Sequence, residues 1–114
     1  MFNEKEIRKL VFMKYNKLIR DKIPGKIKKS GSTLKTHIAN DKEYGKALNE
    51  KLKEEVDEFL ENPCVEEATD ILEVIKAICE MKNIDISNLE EIRQDKAKKR
   101  GGFKKRIILD STDE

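Results

Sequence analysis

Residues 51–60 read KLKEEVDEFL and residues 65–75 read VEEATDILEVI, with ENPC between them. Both stretches follow helical spacing. At about 100° per residue, Leu48, Leu52, Val56 and Phe59 form one apolar stripe, and Ala68, Ile71, Val74, Ile75 and Ile78 form another. Glu67 falls near the middle of the second stripe. Glu55, Glu58 and Asp70 lie at or beside the stripe margins. A carboxylate on a core-facing stripe is costly unless something pairs with it. The short connection at Asn62-Pro63 makes the two helices antiparallel neighbours. Glu58 is then expected roughly level with Glu67, and Glu55 with Asp70. Four carboxylates converging between two helices suit a hard divalent cation, Mg²⁺ or Mn²⁺, which takes oxygen ligands and keeps waters for a phosphate.

Most other acidic residues read as a solvated face, because 42% of the 114-residue chain is charged. Glu54, Asp57, Glu61 and Glu73 fall in that group by position alone, and an acidic Glu66 suits the N-terminal turn of its helix. Two E-x-x-[DE] pairs on facing helices are a sharper signal than either pair alone.

Outward from this hairpin the chain resolves into one small domain. Residues 1–13 are a charged lead-in, dispensable if translation starts at Met13. The domain itself covers 14–110, and residues 111–114 form a tail. Lys17–Lys22 is expected as a helical turn, Pro24-Gly25 as punctuation, and Ile27–Lys29 as a second brief turn. Asn40 or Asp41 caps a helix running to about Glu61. A second helix covers about Val65–Lys82. Ser87, with Glu90 three residues on, reads as a capping box for a third helix ending near Lys99, closed by Gly101-Gly102. Residues 34–39 and 103–109 are β-prone and could pair as a small two-stranded element. The fold class is therefore mainly α, an antiparallel helical bundle.

The charge pattern narrows the chemistry. Net charge is +2, so no global pull toward nucleic acid exists, and only 5% of residues are aromatic. Basic residues crowd 14–35 and 93–106, whereas acidic ones crowd 50–73. Lys17 and Arg20 share a face at i, i+3 spacing. Lys96 and Arg100 close the third helix beside two glycines, where backbone can approach a phosphate closely. Neither a P-loop nor a Rossmann fingerprint occurs. Two cysteines, Cys64 and Cys79, and one histidine, His37, cannot make a zinc set, and no Ser or Cys has an apparent base partner. His37 reads as a surface residue, and a Cys64–Cys79 disulfide is not expected. No stretch reads as a signal peptide or a membrane span, so the expected location is cytoplasmic.

The residues YNKLIRDKIP (15–24), K-L-x-E-E-V-x-E (51–58), E-E-A-x-D-I-L-E-V (66–74) and K-x-x-x-R-G-G-F (96–103) together resemble the all-α nucleoside triphosphate pyrophosphohydrolase superfamily. That superfamily includes MazG, dimeric dUTPases and phosphoribosyl-ATP pyrophosphohydrolase. The resemblance covers about residues 14–109 and is nearest the small "house-cleaning" branch, to which the RDKIP and RGGF segments are specific. It implies hydrolysis of a nucleoside triphosphate to monophosphate and pyrophosphate with Mg²⁺. It maps the metal motif onto Glu55, Glu58, Glu67 and Asp70, and leaves Glu54 or Glu55 to orient the water. Asn16, Lys17, Arg20, Lys96 and Arg100 are then expected at the substrate. The thin core and the resemblance both point to a homodimer or tetramer. The competing readings are a nucleotide-sensing module without turnover and a purely structural helical oligomer.

Overall fold

The computed structural model describes residues 17–113. Within them lie four helices: α1 (Ile23–Lys29), α2 (Asp41–Glu61), α3 (Val65–Met81) and α4 (Leu89–Arg100). The lead-in, Asn16 and the final residue of the tail lie outside the described residues.

The expected hairpin is present. Asn40 caps α2 through its side chain, whose Oδ1 accepts from the Glu43 N–H at 2.9 Å. The helix stops at Glu61 because Pro63 disfavours helical backbone at Asn62. α3 restarts at Val65 and ends in a Schellman motif. There the N–H of Ile84 donates to the Cys79 carbonyl at 2.8 Å and that of Asn83 donates to the Glu80 carbonyl at 3.3 Å. Asn83 takes φ +57°, a left-handed conformation that asparagine tolerates. α2 and α3 form the one substantial helix–helix packing among the described residues. Gly45 lets the two ends close: a Cβ there would stand 3.3 Å from Met81 Cε.

Four expectations are corrected. Lys17–Lys22 is not a helical turn: residues 17–20 run without regular structure, Asp21 and Lys22 form a turn, and the helix comes later, at Ile23–Lys29. Pro24 sits in the first turn of α1, where a missing N–H costs nothing, so Pro-Gly starts this helix instead of breaking it. The Ser87 capping box does not form. The N-cap of α4 is Asn88, while Ser87 donates its N–H to Asp85 Oδ1 at 2.9 Å. Glu90 reaches forward to Arg93 instead. Nor do 34–39 and 103–109 pair, and the described residues contain no strand. Arg106 sits at φ +58°, donating its N–H to the Phe103 carbonyl, so a turn interrupts the second segment. An isolated two-stranded ribbon is marginal in water in any case.

The core is small. Ile23 and Ile27 of α1, Leu48 of α2 and Val74 of α3 are its buried apolar residues, and Ile23 and Leu48 are closed off almost completely. Among the described residues α1 thus supplies two of the four buried apolar side chains, from a stretch whose sequence shows no long periodicity. Leu52, Val56 and Phe59 are only half-buried. The radius of gyration is 18.4 Å, against about 13 Å for a compact domain of about 100 residues.

Candidate metal and anion site

The acidic faces of α2 and α3 meet as the sequence implied. Glu55, Glu67 and Asp70 each present a carboxylate oxygen, and these oxygens lie within 4.8 Å of one another. Glu55 comes from the middle of α2, and Glu67 and Asp70 from the first two turns of α3. Glu58 lies outside that trio, half-buried one turn along α2, although its charge acts on Glu55.

Glu55 is the one buried charged residue of the described chain, with 7% of its surface exposed. Its Oε1 lies 3.3 Å from Lys51 Nζ, one helical turn back. Its Oε2 is buried with no hydrogen-bond partner. Burial pushes the Glu55 carboxyl up from its usual 4.5 to about 7. Lys51 opposes that rise, and the negative charges of Glu58 and Asp70 add to it. A buried carboxylate oxygen left without a donor is destabilising on its own. A cation held jointly by Glu55, Glu67 and Asp70 would satisfy it. The donor set is all oxygen, which fits Mg²⁺ or Mn²⁺ and not a soft metal.

The segment before α1 lies against this cluster. Arg20 Nη2 donates to Asp70 Oδ1 at 2.7 Å. Lys17 pairs with Glu54, and Lys51 Nζ stands 4.0 Å from the same residue. Glu54 therefore faces the basic segment and is not the solvated-face residue that its position alone implied. A cleft of about 490 Å³ opens beside these groups. Asp21, Glu55, Asp70, Glu73 and Glu80 are the carboxylates of its lining, and Arg20, Lys22, Lys26 and Lys51 supply its cations. With carboxylates and cations both present, such a cleft suits a polyanion only together with a divalent cation on the acidic side.

The structure thus brings together Glu54, Glu55, Glu58, Glu67, Asp70, Lys17 and Arg20. It does not bring Lys96 or Arg100 to them. Both lie exposed on α4 and line no part of this cleft. Sequence reasoning missed Lys51, Lys22 and Lys26. Lys51 was findable, since it precedes Glu55 by four residues on one helix face. His37 behaves as a surface residue, its Nε2 2.9 Å from both carboxylate oxygens of Glu43. Cys64 and Cys79 are free thiols. No helix among the described residues is long and apolar enough to cross a membrane. Comparison of the chain with protein-family models, curated proteins and solved structures returns no match.

Proposed function

We propose that this chain is a Mg²⁺-dependent nucleoside triphosphate pyrophosphohydrolase, releasing nucleoside monophosphate and pyrophosphate and working as a homo-oligomer on the nucleotide pool. The observation that carries the reading is Glu55. A buried carboxylate with an unsatisfied oxygen, two further carboxylates within 4.8 Å and a cleft alongside that is lined by carboxylates and cations together make a costly arrangement for a purely structural protein. The sequence resemblance supports the same chemistry. Bound Mg²⁺ would neutralise phosphate oxygens and make a bound water easier to deprotonate.

The chain's own groups divide the work. Glu55, Glu67 and Asp70 would hold the cation, and Glu58, one turn along α2, would add its negative charge. Lys17 and Arg20, which pair with Glu54 and Asp70, would turn toward incoming phosphate oxygens, and charge-assisted bonds of this kind are the strong ones. Glu54 or Glu55 accepts the proton of the attacking water. Phosphoryl transfer needs mainly positioning and neutralised charge, so no nucleophilic side chain is required.

Phosphorus NMR on a nucleoside triphosphate incubated with the protein and Mg²⁺ tests the reading. Pyrophosphate with monophosphate is the expected pair. Diphosphate with inorganic phosphate would contradict it. Nucleotide binding without any turnover would assign the cleft to a sensor.

A further inference from the structure

The segment before α1 straps the acidic cluster at two points. Lys17 pairs with Glu54 of α2, 37 residues away, and Arg20 donates to Asp70 of α3, 50 residues away. Glu54 adjoins Glu55, and Asp70 is itself one of the three carboxylates that converge. With Lys51 on Glu55, cations of the chain hold Glu54, Glu55 and Asp70. The charge is met only in part, since Glu55 Oε2 is buried with no hydrogen-bond partner. Arg20 can move its charge without moving its backbone. Its carbonyl accepts from the Ile23 N–H at 3.0 Å, and Ile23 is a core residue, 1% exposed. The chain is therefore pinned just beyond Arg20. The side chain is not pinned, for it is 47% exposed and its partner Asp70 is 36% exposed. Both residues line the cleft.

A guanidinium bonded to Asp70 repels a divalent cation that arrives on the same carboxylate. The same guanidinium matches phosphate oxygens, which its planar fork of donors can bond in pairs. We infer that Arg20 exchanges partners, holding Asp70 in the metal-free chain and a phosphate oxygen once the cation is bound, so that the site selects a divalent cation and a polyphosphate together over either alone. Coupling between two ligands is reciprocal. The cation releases Arg20 for the anion, and the anion, by drawing Arg20 away, releases Asp70 for the cation. The opposite arrangement, in which Arg20 stays on Asp70 and orients it as a ligand, predicts the opposite sign, because loss of such a partner weakens metal binding. The inference rests on the proposed cation and polyphosphate site, but not on the hydrolysis.

Binding is therefore read without turnover. The probes are Mn²⁺, whose free ion is counted by electron paramagnetic resonance, and methylenediphosphonate, which is not hydrolysed and is followed by calorimetry. Arg20→Ala should bind Mn²⁺ alone about two- to fivefold more tightly than wild type, the span of an exposed ion pair. With Mn²⁺ present it should bind methylenediphosphonate about tenfold more weakly, as loss of a charge-assisted hydrogen bond does. Arg20→Lys keeps the charge and should lie nearer wild type in both. Asp70→Asn frees the guanidinium in EDTA, so it should bind the diphosphonate more tightly there than wild type. That gain should vanish in the double variant Asp70→Asn, Arg20→Ala. The pair is exposed, so each variant should keep its helical circular dichroism. Weaker or unchanged Mn²⁺ binding in Arg20→Ala overturns the inference, and so does a gain in Asp70→Asn that persists without Arg20. A wild type that binds no Mn²⁺ overturns the inference and the metal site together. Pyrophosphate release from nucleotides with no effect of Arg20 on Mn²⁺ would refute the exchange alone. Partner exchange with no release would refute the hydrolase reading alone.

Discussion

Replacing Glu55 by Gln should make the metal-free protein more stable at neutral pH and leave it nearly unchanged in acid. In the folded chain the Glu55 carboxyl titrates at about 7, against an ordinary value of 4.5, chiefly because burial disfavours its charge. Between those values the folded state holds a proton that the unfolded state has lost. Stability therefore falls as pH rises through this window and levels off above it. A displacement from 4.5 to about 7, at about 1.4 kcal/mol per pH unit, amounts to on the order of 3 kcal/mol. That figure already contains the attraction of Lys51 and the repulsion of Glu58 and Asp70. Glutamine keeps the size of the protonated acid and cannot ionise. The stability of Glu55→Gln minus that of wild type should accordingly grow by about 3 kcal/mol between pH 4 and pH 8. Urea unfolding in EDTA across that range measures the difference directly. A difference that stays flat with pH, or a variant that is the less stable at pH 8, would refute the claim that Glu55 is charged at a cost. A second consequence concerns Mg²⁺ binding near pH 6. It should release a proton from wild type that Glu55→Gln does not release, readable by calorimetry in two buffers of different ionisation heat.

Mg²⁺ itself should stabilise the wild type, by about 3 kcal/mol at a hundred times its dissociation constant. It should do so far less in Glu67→Gln, and thermal melts with and without the ion check both. Arg20→Ala removes a largely exposed pair with Asp70, so its effect on stability should stay below about 1 kcal/mol, whereas KM for the nucleotide should rise about tenfold or more. A variant that loses stability and keeps its KM would make Arg20 a structural residue only. Asn40→Ala removes the α2 cap bond to the Glu43 N–H and should cost about 1 kcal/mol in urea unfolding, with turnover retained.

The parts legible in the sequence were those written in long periodic segments. Asn40, Pro63 and the apolar stripes set the bounds of α2 and α3, and the hairpin geometry then put Glu55 near Asp70. Glu55, Glu67 and Asp70 do converge. The parts that were not legible depend on contacts far apart in the chain. Ile23 and Ile27 are core residues because a seven-residue helix lies against the hairpin, and seven residues carry too little periodicity to announce that. Pro24-Gly25 looked like a break because Pro opens turns and helices alike. The β-propensity of 103–109 went unrealised: the described residues offer no strand to pair with, and the turn at Arg106 interrupts the segment. Glu54 looked solvated until Lys17 was seen to reach it from 37 residues away. Lys22 and Lys26 face the cleft only because α1 turns that way, which no local spacing encodes.

The central claim is that the α2–α3 carboxylates serve Mg²⁺-dependent cleavage of a nucleoside triphosphate. Pyrophosphate release from a panel of NTPs and dNTPs, run side by side on wild type and Glu67→Gln, tests it most directly. Wild type should release pyrophosphate from at least one of them with Mg²⁺ and none in EDTA. Glu67→Gln, folded by circular dichroism, should lose at least about 100-fold of that rate, as removal of a group that stabilises transition-state charge typically does. Equal rates in the two proteins, or release that persists in EDTA, would contradict the account.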